Sequence, residues 1–503
     1  MEKFPDHDNL PPSDNSTREI LEWLAAVHGQ VSIDDCKGLL AQLGNLRIAA
    51  LSNVQRQKLL DLLYLQAQSL TEQILDQLDE ATLPVGRKSR HTTKVLLQAL
   101  EMLTQDYLNS LAAVFDPDRK SPHLSAQSPL RRAMQAMAWQ IHTYHRIAAP
   151  PPPGLWQQFH GAYSNAIRLG VENQPGAAGT ASIQRLYTAT LLAAIAQPAS
   201  FSPTELKLIT SLLDNLPAAV SLENLPPAPS PSIFWIDPSR DFPAQALVRR
   251  PPPPDSEIRF FSAETAATYA ATLLNSLQNN PQANLRVLSP LPNQRDQLRV
   301  LKRLIKLWAN PSKRRYPRRR QSYRSQLAIG LDQIHPQLTG QSADNETLTE
   351  WMVTNESPDG FSLMHMSGIT PTLKVGDLIA LKAQETQTGK VSSWQICILR
   401  WAISENPEHI EIGLQLLSSS AKAAKIVPPD EPRQITTALL LPEAPTLRRN
   451  RALVVPQDTL AIGQRNVTLM TEENNIALHE IKITGQDEQS STCDIFFFQT
   501  NSP

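Results

Sequence analysis

The chain has 503 residues, with 47 lysine and arginine residues against 48 aspartate and glutamate residues, and its formal net charge is −1. This balance excludes a globally basic nucleic-acid-binding protein and an acidic tail protein, so any electrostatic specialisation must be local. Three widely spaced cysteines, Cys36, Cys397 and Cys493, argue against a disulfide framework or a CxxC zinc site and favour a reducing compartment.

The sequence predicts a cytoplasmic protein with more than one domain. Its polar, proline-rich N-terminus lacks the apolar core of a signal peptide, and no run approaches the about 18 apolar residues that span a bilayer. A length of 503 residues is enough for two or more separately packed cores. The 41 prolines occur in clusters, which indicate the boundaries between domains.

The N-terminal region has helical periodicity and no strand-like alternation. A capping box at Ser16–Glu19 precedes apolar residues at helical spacing. The same periodicity recurs at 53–78, 91–115, 128–148, 154–170, 182–197 and 203–216. Four consecutive prolines, Pro150 to Pro153, form an extended spacer between two halves of the region. We therefore predict an all-α domain over residues 16–220.

A small α/β connector is predicted over residues 232–309. It follows the proline-rich linker NLPPAPSPS and begins with the apolar segment SIFWID, which is typical of a strand. A second strand, EIRFFS, and two helices, 262–279 and 293–309, complete the unit. It contains no glycine-rich phosphate loop, so the sequence does not indicate nucleotide binding of the Rossmann or P-loop kind.

The remainder of the chain is predicted to be β-rich. Seven basic residues fall between Lys313 and Arg324, and the first strand is expected to begin near Leu327. Six candidate strands follow, QLAIGLD, EWMVTN, GFSLMHM, DLIALKA, WQICILRWA and HIEIGLQLL, as expected for a closed antiparallel barrel. Residues 421–433 are interpreted as a polar break, and a further β-rich segment is predicted over 434–500.

Two short motifs flank the first strands of this barrel. Arg314 and Arg318 form an RxxxR pattern, and Asn355 to Gly360 form an N-x-S-x-x-G pattern. Here the chain resembles the PilZ domain family, over roughly residues 311–425. The resemblance implies a β-barrel that binds the bacterial second messenger cyclic di-GMP in signal transduction, without catalysis. It also implies that the ligand contacts are Arg314, Arg318, Asn355, Ser357 and Gly360.

The side chains in these motifs have suitable chemistry for such a ligand. An arginine guanidinium can form paired hydrogen bonds with a phosphate or with guanine O6 and N7, and it can stack on a purine. Asn355 and Ser357 can hydrogen-bond to a base edge or hold a turn. Gly360 allows a close backbone approach or a positive φ. Arg315 is the expected accessory contact.

Several alternatives remain open at this stage. The basic run also contains the pairs Arg315/Arg319 and Arg320/Arg324, which fit the same spacing. Taken alone, the run is more typical of a solvated linker, and the N-x-S-x-x-G pattern is more typical of a β-turn. His142 and His145 have helical spacing, but no third metal ligand is apparent, and ordinary histidines are the better interpretation.

The sequence thus predicts a multidomain protein with an all-α N-terminal region, a small α/β connector, a PilZ-like barrel and a further β-rich segment. We expect a cyclic di-GMP receptor that engages an unidentified protein partner through its helical domain. No catalytic residues, metal, cofactor or specific nucleic acid are expected. The competing hypothesis is a non-enzymatic scaffold or nucleic-acid-binding protein that uses the basic segment 313–324.

Overall fold

A computed structural model describes most of the chain. The described residues are 12–26, 32–112, 126–176, 179–254, 256–280, 285–313, 315–340, 348–366, 370–384, 393–406, 408–429, 434–444, 450–472, 476–490 and 492–500. The chain divides into two compact units. The helical unit extends to Lys313, and the barrel unit comprises Arg314–Pro503 together with the short segments Thr82–Pro84 and Ala199–Ser202.

The helical unit begins with an all-α region, which confirms the prediction for this part of the chain. Its helices are α1 Pro12–Ala25, α2 Ile33–Ile48, α3 Asn53–Gln77, α4 Arg87–Ala112, α5 Gln127–Arg146, α6 Leu155–Arg168, α7 Ile183–Ile195 and α8 Pro203–Asp214. Helix α1 begins at Pro12, so the helix start expected at the Ser16 capping box is wrong. The sequence analysis did not predict α2, which contains two glycines that lower its helix propensity. One of them, Gly38, is required by packing, because a Cβ atom there would collide with the indole ring of Trp23.

The α/β connector is present and belongs to the same compact unit as the helices. Strands β1 Ile233–Ile236, β2 Gln245–Ala246 and β3 Arg259–Ser262 form an antiparallel sheet, and helices α9 Glu264–Asn279 and α10 Gln294–Ala309 follow. The buried Trp308 on α10 donates a hydrogen bond from its Nε1 to the Leu192 carbonyl oxygen on α7, at 3.1 Å. Arg299 on α10 forms an ion pair of 2.7 Å with Glu205 on α8. These largely buried contacts unite the connector with the helical region.

The barrel unit contains the predicted antiparallel barrel, which we call the first barrel. Its strands are β4 Arg319–Ile329, β5 Thr349–Ser357, β6 Gly360–His365, β7 Leu378–Ala383, β8 Gln395–Asn406 and β9 His409–Ser418, and they close in the order β4-β5-β6-β9-β8-β7. All six predicted strands are present. A short helix, α11 Leu331–Thr339, lies between β4 and β5. It was not predicted, because Pro336 interrupts its short pattern.

The further β-rich segment is a second closed barrel. It is formed by β10 Lys422–Val427, β11 Thr436–Leu441, β12 Ala452–Pro456, β13 Val467–Glu472, β14 Ile476–Gln489 and β15 Cys493–Thr500. Strand β10 occupies the first half of segment 421–433, so the interpretation of that segment as a break is wrong for β10. Two lysines and two adjacent alanines in KAAKIV gave only a weak strand pattern.

The two barrels share one hydrophobic core. On β11, Leu439 and Leu441 pack towards residues of the first barrel such as Ile396 and Ile398. Ala438 and Leu440, which alternate with them along the strand, pack into the core of the second barrel. Successive side chains of a strand point to opposite faces, so a strand buried on both faces has a continuous apolar sequence. An isolated first barrel would expose this shared core, and binding experiments therefore require the full chain.

Candidate functional site

The arginine-rich segment forms part of strand β4. The strand begins at Arg319, eight residues before the predicted start, and Arg319 and Arg320 lie opposite Glu356 and Asn355 of β5. The early start was missed because exposed arginines obscure the alternation of buried and exposed residues in this part of the strand. A bulge between Arg320 and Tyr323 shifts the register.

Of the three arginines predicted to contact the ligand, the structure shows a hydrogen bond within the barrel for Arg318. Arg314 lies outside the described residues, and Arg315 is exposed ahead of the strand. Arg318 directly precedes β4, and its Nη1 donates a hydrogen bond of 2.9 Å to Oγ of Ser362 on β6. Ser362 is only 4% exposed, so its hydroxyl is a fixed acceptor for this guanidinium. Sequence reasoning did not identify Ser362.

Asn355 lies near the end of β5, between the start of β4 and the start of β6. It lies opposite Arg320 of β4 on one side and opposite Ser362 of β6 on the other. Its side-chain Oδ1 is buried and has no hydrogen-bond partner among the residues that the structure describes. A buried carbonyl oxygen of this kind usually has a partner, because leaving it unpaired costs about 1–3 kcal/mol. It is therefore an acceptor available to a ligand.

The N-x-S-x-x-G motif forms the hairpin between β5 and β6. Ser357 and Gly360 are paired across a turn made by Pro358 and Asp359. The Ser357 hydroxyl is within hydrogen-bond distance of Asp359 Oδ1, at 2.6 Å, and of the Gly360 carbonyl oxygen, at 3.2 Å. Ser357 therefore fixes the turn that carries the motif.

Gly360 is required by a close backbone approach. A Cβ atom at this position would collide with the carbonyl oxygen of Leu414 on β9. Gly360 is absent from the residues with positive φ, so backbone strain is not the reason for the glycine. Of the two roles that the sequence suggested for Gly360, the structure supports the close approach.

Two acidic residues on β5 hold other side chains of β4. Tyr323 donates a hydrogen bond of 2.9 Å from its hydroxyl to Glu356, and Gln321 donates one of 2.9 Å to the other carboxylate oxygen. Burial, reinforced by Glu356, raises the pKa of Tyr323. Arg324 forms an ion pair of 3.1 Å with Glu350. Tyr323 and Arg324 are thus engaged within the barrel.

The first barrel consequently gathers Arg318, Asn355, Ser357 and Gly360 at one edge, where β4 and β6 begin and β5 ends. The edge offers a guanidinium, an unpaired carboxamide oxygen and a turn with little steric bulk. These groups can bind an anionic ligand that also has hydrogen-bond donors, such as a guanine nucleotide.

The histidine pair has the properties of packed side chains. Burial lowers the pKa of His142 to about 4 and that of His145 to about 3. In the described part of the chain, no group of three or more histidine, cysteine, aspartate or glutamate residues could hold a metal ion. The described helices likewise include none that is both long and apolar enough to cross a membrane.

The six-stranded barrel and its N-x-S-x-x-G hairpin are those of a PilZ domain, and residues 337–423 match the model of the middle PilZ domain of the cyclic-di-GMP receptor FimW. Residues 18–228 match the model of the N-terminal domain of the same receptor. The chain therefore belongs to the FimW-like family of cyclic-di-GMP receptors, which confirms the predicted PilZ resemblance. The PilZ match includes Asn355, Ser357 and Gly360 but begins after the arginine segment. No curated protein matches the chain significantly.

Proposed function

We propose that this chain binds cyclic di-GMP at the edge of the first barrel and passes the signal to a protein partner. The proposed contacts are Arg314, Arg315, Arg318, Asn355, Ser357 and Gly360. The observation that carries the proposal is the buried and unpartnered Oδ1 of Asn355, which lies in register with the serine that holds Arg318. This acceptor suits an N–H donor of a guanine base.

The arginines provide the complementary groups for the ligand. Cyclic di-GMP has two phosphates and two guanines, and each can form paired hydrogen bonds with a guanidinium. Because Ser362 holds Arg318, this side chain loses less conformational freedom on binding. Arg315 is exposed and can approach a ligand from the segment that precedes β4. Gly360 allows the hairpin to lie close to β9, and Ser357 holds its turn.

The relay follows from the position of the arginine segment in the chain. Lys313 ends the helical unit and Arg314 begins the barrel unit. A ligand that engages this segment binds the direct chain connection between the units, and its binding energy can favour one arrangement of them. The helical unit then presents the altered surface to the partner.

The competing nucleic-acid hypothesis has less support. Binding of single strands needs exposed aromatic rings among the basic residues. In segment 313–324 the aromatic residues are Tyr316 and Tyr323, both half-buried, and the Tyr323 hydroxyl donates to Glu356. Arg324 is paired with Glu350. A nucleic-acid complex would also weaken steeply as salt rises.

Calorimetric titration of the full chain tests the proposal. We expect saturable binding of cyclic di-GMP at low stoichiometry, in preference to GTP or cyclic AMP. Arg318→Ala should weaken binding about tenfold or more, because a hydrogen bond to a charged group contributes about 1.5–3 kcal/mol. Arg324→Ala is the matched control, since Arg324 is an exposed arginine of the same segment with its own carboxylate partner. Folded protein that gives no heat with cyclic di-GMP would refute the proposal.

A further inference from the structure

The two barrels have the same strand connectivity. The first closes in the order β4-β5-β6-β9-β8-β7 and the second in the order β10-β11-β12-β15-β14-β13. Each strand of the second barrel thus corresponds to the strand six places earlier, and every neighbouring pair is antiparallel in both. Six strands can close in many orders, so this identity indicates that the PilZ topology occurs twice in the chain.

The second barrel lacks the signature residues of the first. Its β11 and β12 are the counterparts of β5 and β6, and the segment 442–451 that joins them contains no N-x-S-x-x-G pattern. The residues immediately before β10, Ser418 to Ala421, contain no arginine. The second barrel therefore cannot bind a ligand through the same motif.

A cleft is nevertheless present at the corresponding edge. It has a volume of about 440 Å³ and is lined by residues that follow β11, precede β12 and end β15, together with Thr484 of β14. The corresponding elements of the first barrel, the end of β5, the start of β6 and the end of β9, meet at Gly360, which pairs with Ser357 and Gln415. The volume lies in the range of about 300–1,000 Å³ that is typical of small-ligand sites.

The cleft contains groups of opposite charge that do not pair with each other. Glu443 and Arg451 both line it, and these two exposed side chains have no hydrogen-bond or ion-pair partner in the described part of the chain. Asn450 and the half-buried Phe497, which also packs against the core shared by the barrels, line the cleft as well. A carboxylate and a guanidinium that line one cleft suit a ligand that has both donors and negative charge.

We propose that this cleft is a second nucleotide site, and that it takes a guanine nucleotide. The Watson–Crick edge of guanine has two adjacent donors, N1–H and N2–H₂, which a carboxylate can accept together, whereas adenine has no such pair. Glu443 accepts these donors, Phe497 packs against the base, and Arg451 binds the phosphate. The site uses a different residue set from that of the first barrel and is independent of it.

Titration of the full chain with GMP tests this site. The chain carries Arg318→Ala, which weakens nucleotide binding at the edge of the first barrel. We expect saturable GMP binding with a Kd below about 1 mM, and binding of AMP at least about tenfold weaker. Arg451→Ala should weaken GMP binding about tenfold. Arg465→Ala, which changes an exposed arginine of the same barrel outside the cleft, should leave it unchanged.

The variant Glu443→Gln tests the guanine assignment directly. A carboxamide donates where the carboxylate accepts, so this variant should lose the preference for GMP over AMP while the circular dichroism spectrum stays the same. Absence of saturable GMP binding, or GMP binding that Arg451→Ala does not alter, would overturn the proposed site. Neither result depends on whether the first barrel binds cyclic di-GMP.

Discussion

Replacement of Ser362 by alanine separates the positioning of Arg318 from its direct contact with the ligand. The substitution removes one hydroxyl from a side chain that is 4% exposed and leaves the β-carbon in place, so β6 should retain its pairing with β5 and β9. The hydrogen bond of 2.9 Å from Arg318 is lost. The unheld Arg318 side chain then samples more rotamers, so it loses more conformational entropy when it binds the ligand.

The size of the effect follows from the exposure of Arg318. Hydrogen bonds to charged groups contribute about 1.5–3 kcal/mol, but Arg318 is exposed and water replaces part of the lost interaction. We therefore expect a loss of about 1 kcal/mol in binding, which corresponds to an about fivefold higher Kd for cyclic di-GMP. Calorimetry or fluorescence anisotropy on the full chain can measure this change.

A double-mutant cycle gives the decisive control. If Ser362 acts through Arg318, then Ser362→Ala should have little further effect in a chain that already carries Arg318→Ala. Ser362→Thr keeps the hydroxyl and should retain much of the affinity that Ser362→Ala loses. Two results would show that the serine does not position the arginine for the ligand. One is that Ser362→Ala lowers the affinity equally in the presence and absence of Arg318→Ala, and the other is that Ser362→Ala binds cyclic di-GMP more tightly.

Three further predictions concern the hairpin, the histidine pair and the connector. Gly360→Ala should lower both the melting temperature and the affinity for cyclic di-GMP, because its Cβ atom would collide with Leu414; unchanged melting would contradict the close approach seen here. Burial lowers the pKa values of His142 and His145 to about 4 and about 3, so their contribution to stability is present above pH 6.5 and is lost as the pH falls below it, by at most about 1.4 kcal/mol per pH unit for each. Chemical denaturation at pH 7 and pH 5 should detect this loss, and His142→Gln should reduce it; an equal pH dependence in the variant would refute the assignment. Limited proteolysis near 226–231 should give two fragments that co-elute in gel filtration, because Trp308 and Arg299 bind the helical region; separation under native conditions would be inconsistent with one compact unit.

Local periodicity in the sequence determined most of the secondary structure and the family. The six strands of the first barrel were predicted because each has apolar residues bounded by turn residues, and turn chemistry correctly placed the 357–360 hairpin. The resemblance to the PilZ family rested on residues that are local in sequence. Such patterns are set by backbone geometry within a few residues and need no knowledge of the distant chain.

The tertiary structure decided which distant residues meet. Ser362 became visible as the partner of Arg318 only once β6 was paired with β5, and the collision that requires Gly360 involves Leu414 on β9. The start of β4 at Arg319 depends on its pairing with β5, because exposed arginines carry no apolar pattern. The closure of the second barrel and the core that it shares with the first depend in the same way on pairings between distant strands. Register and closure are long-range properties, whereas sequence periodicity reports only on the neighbourhood of each residue.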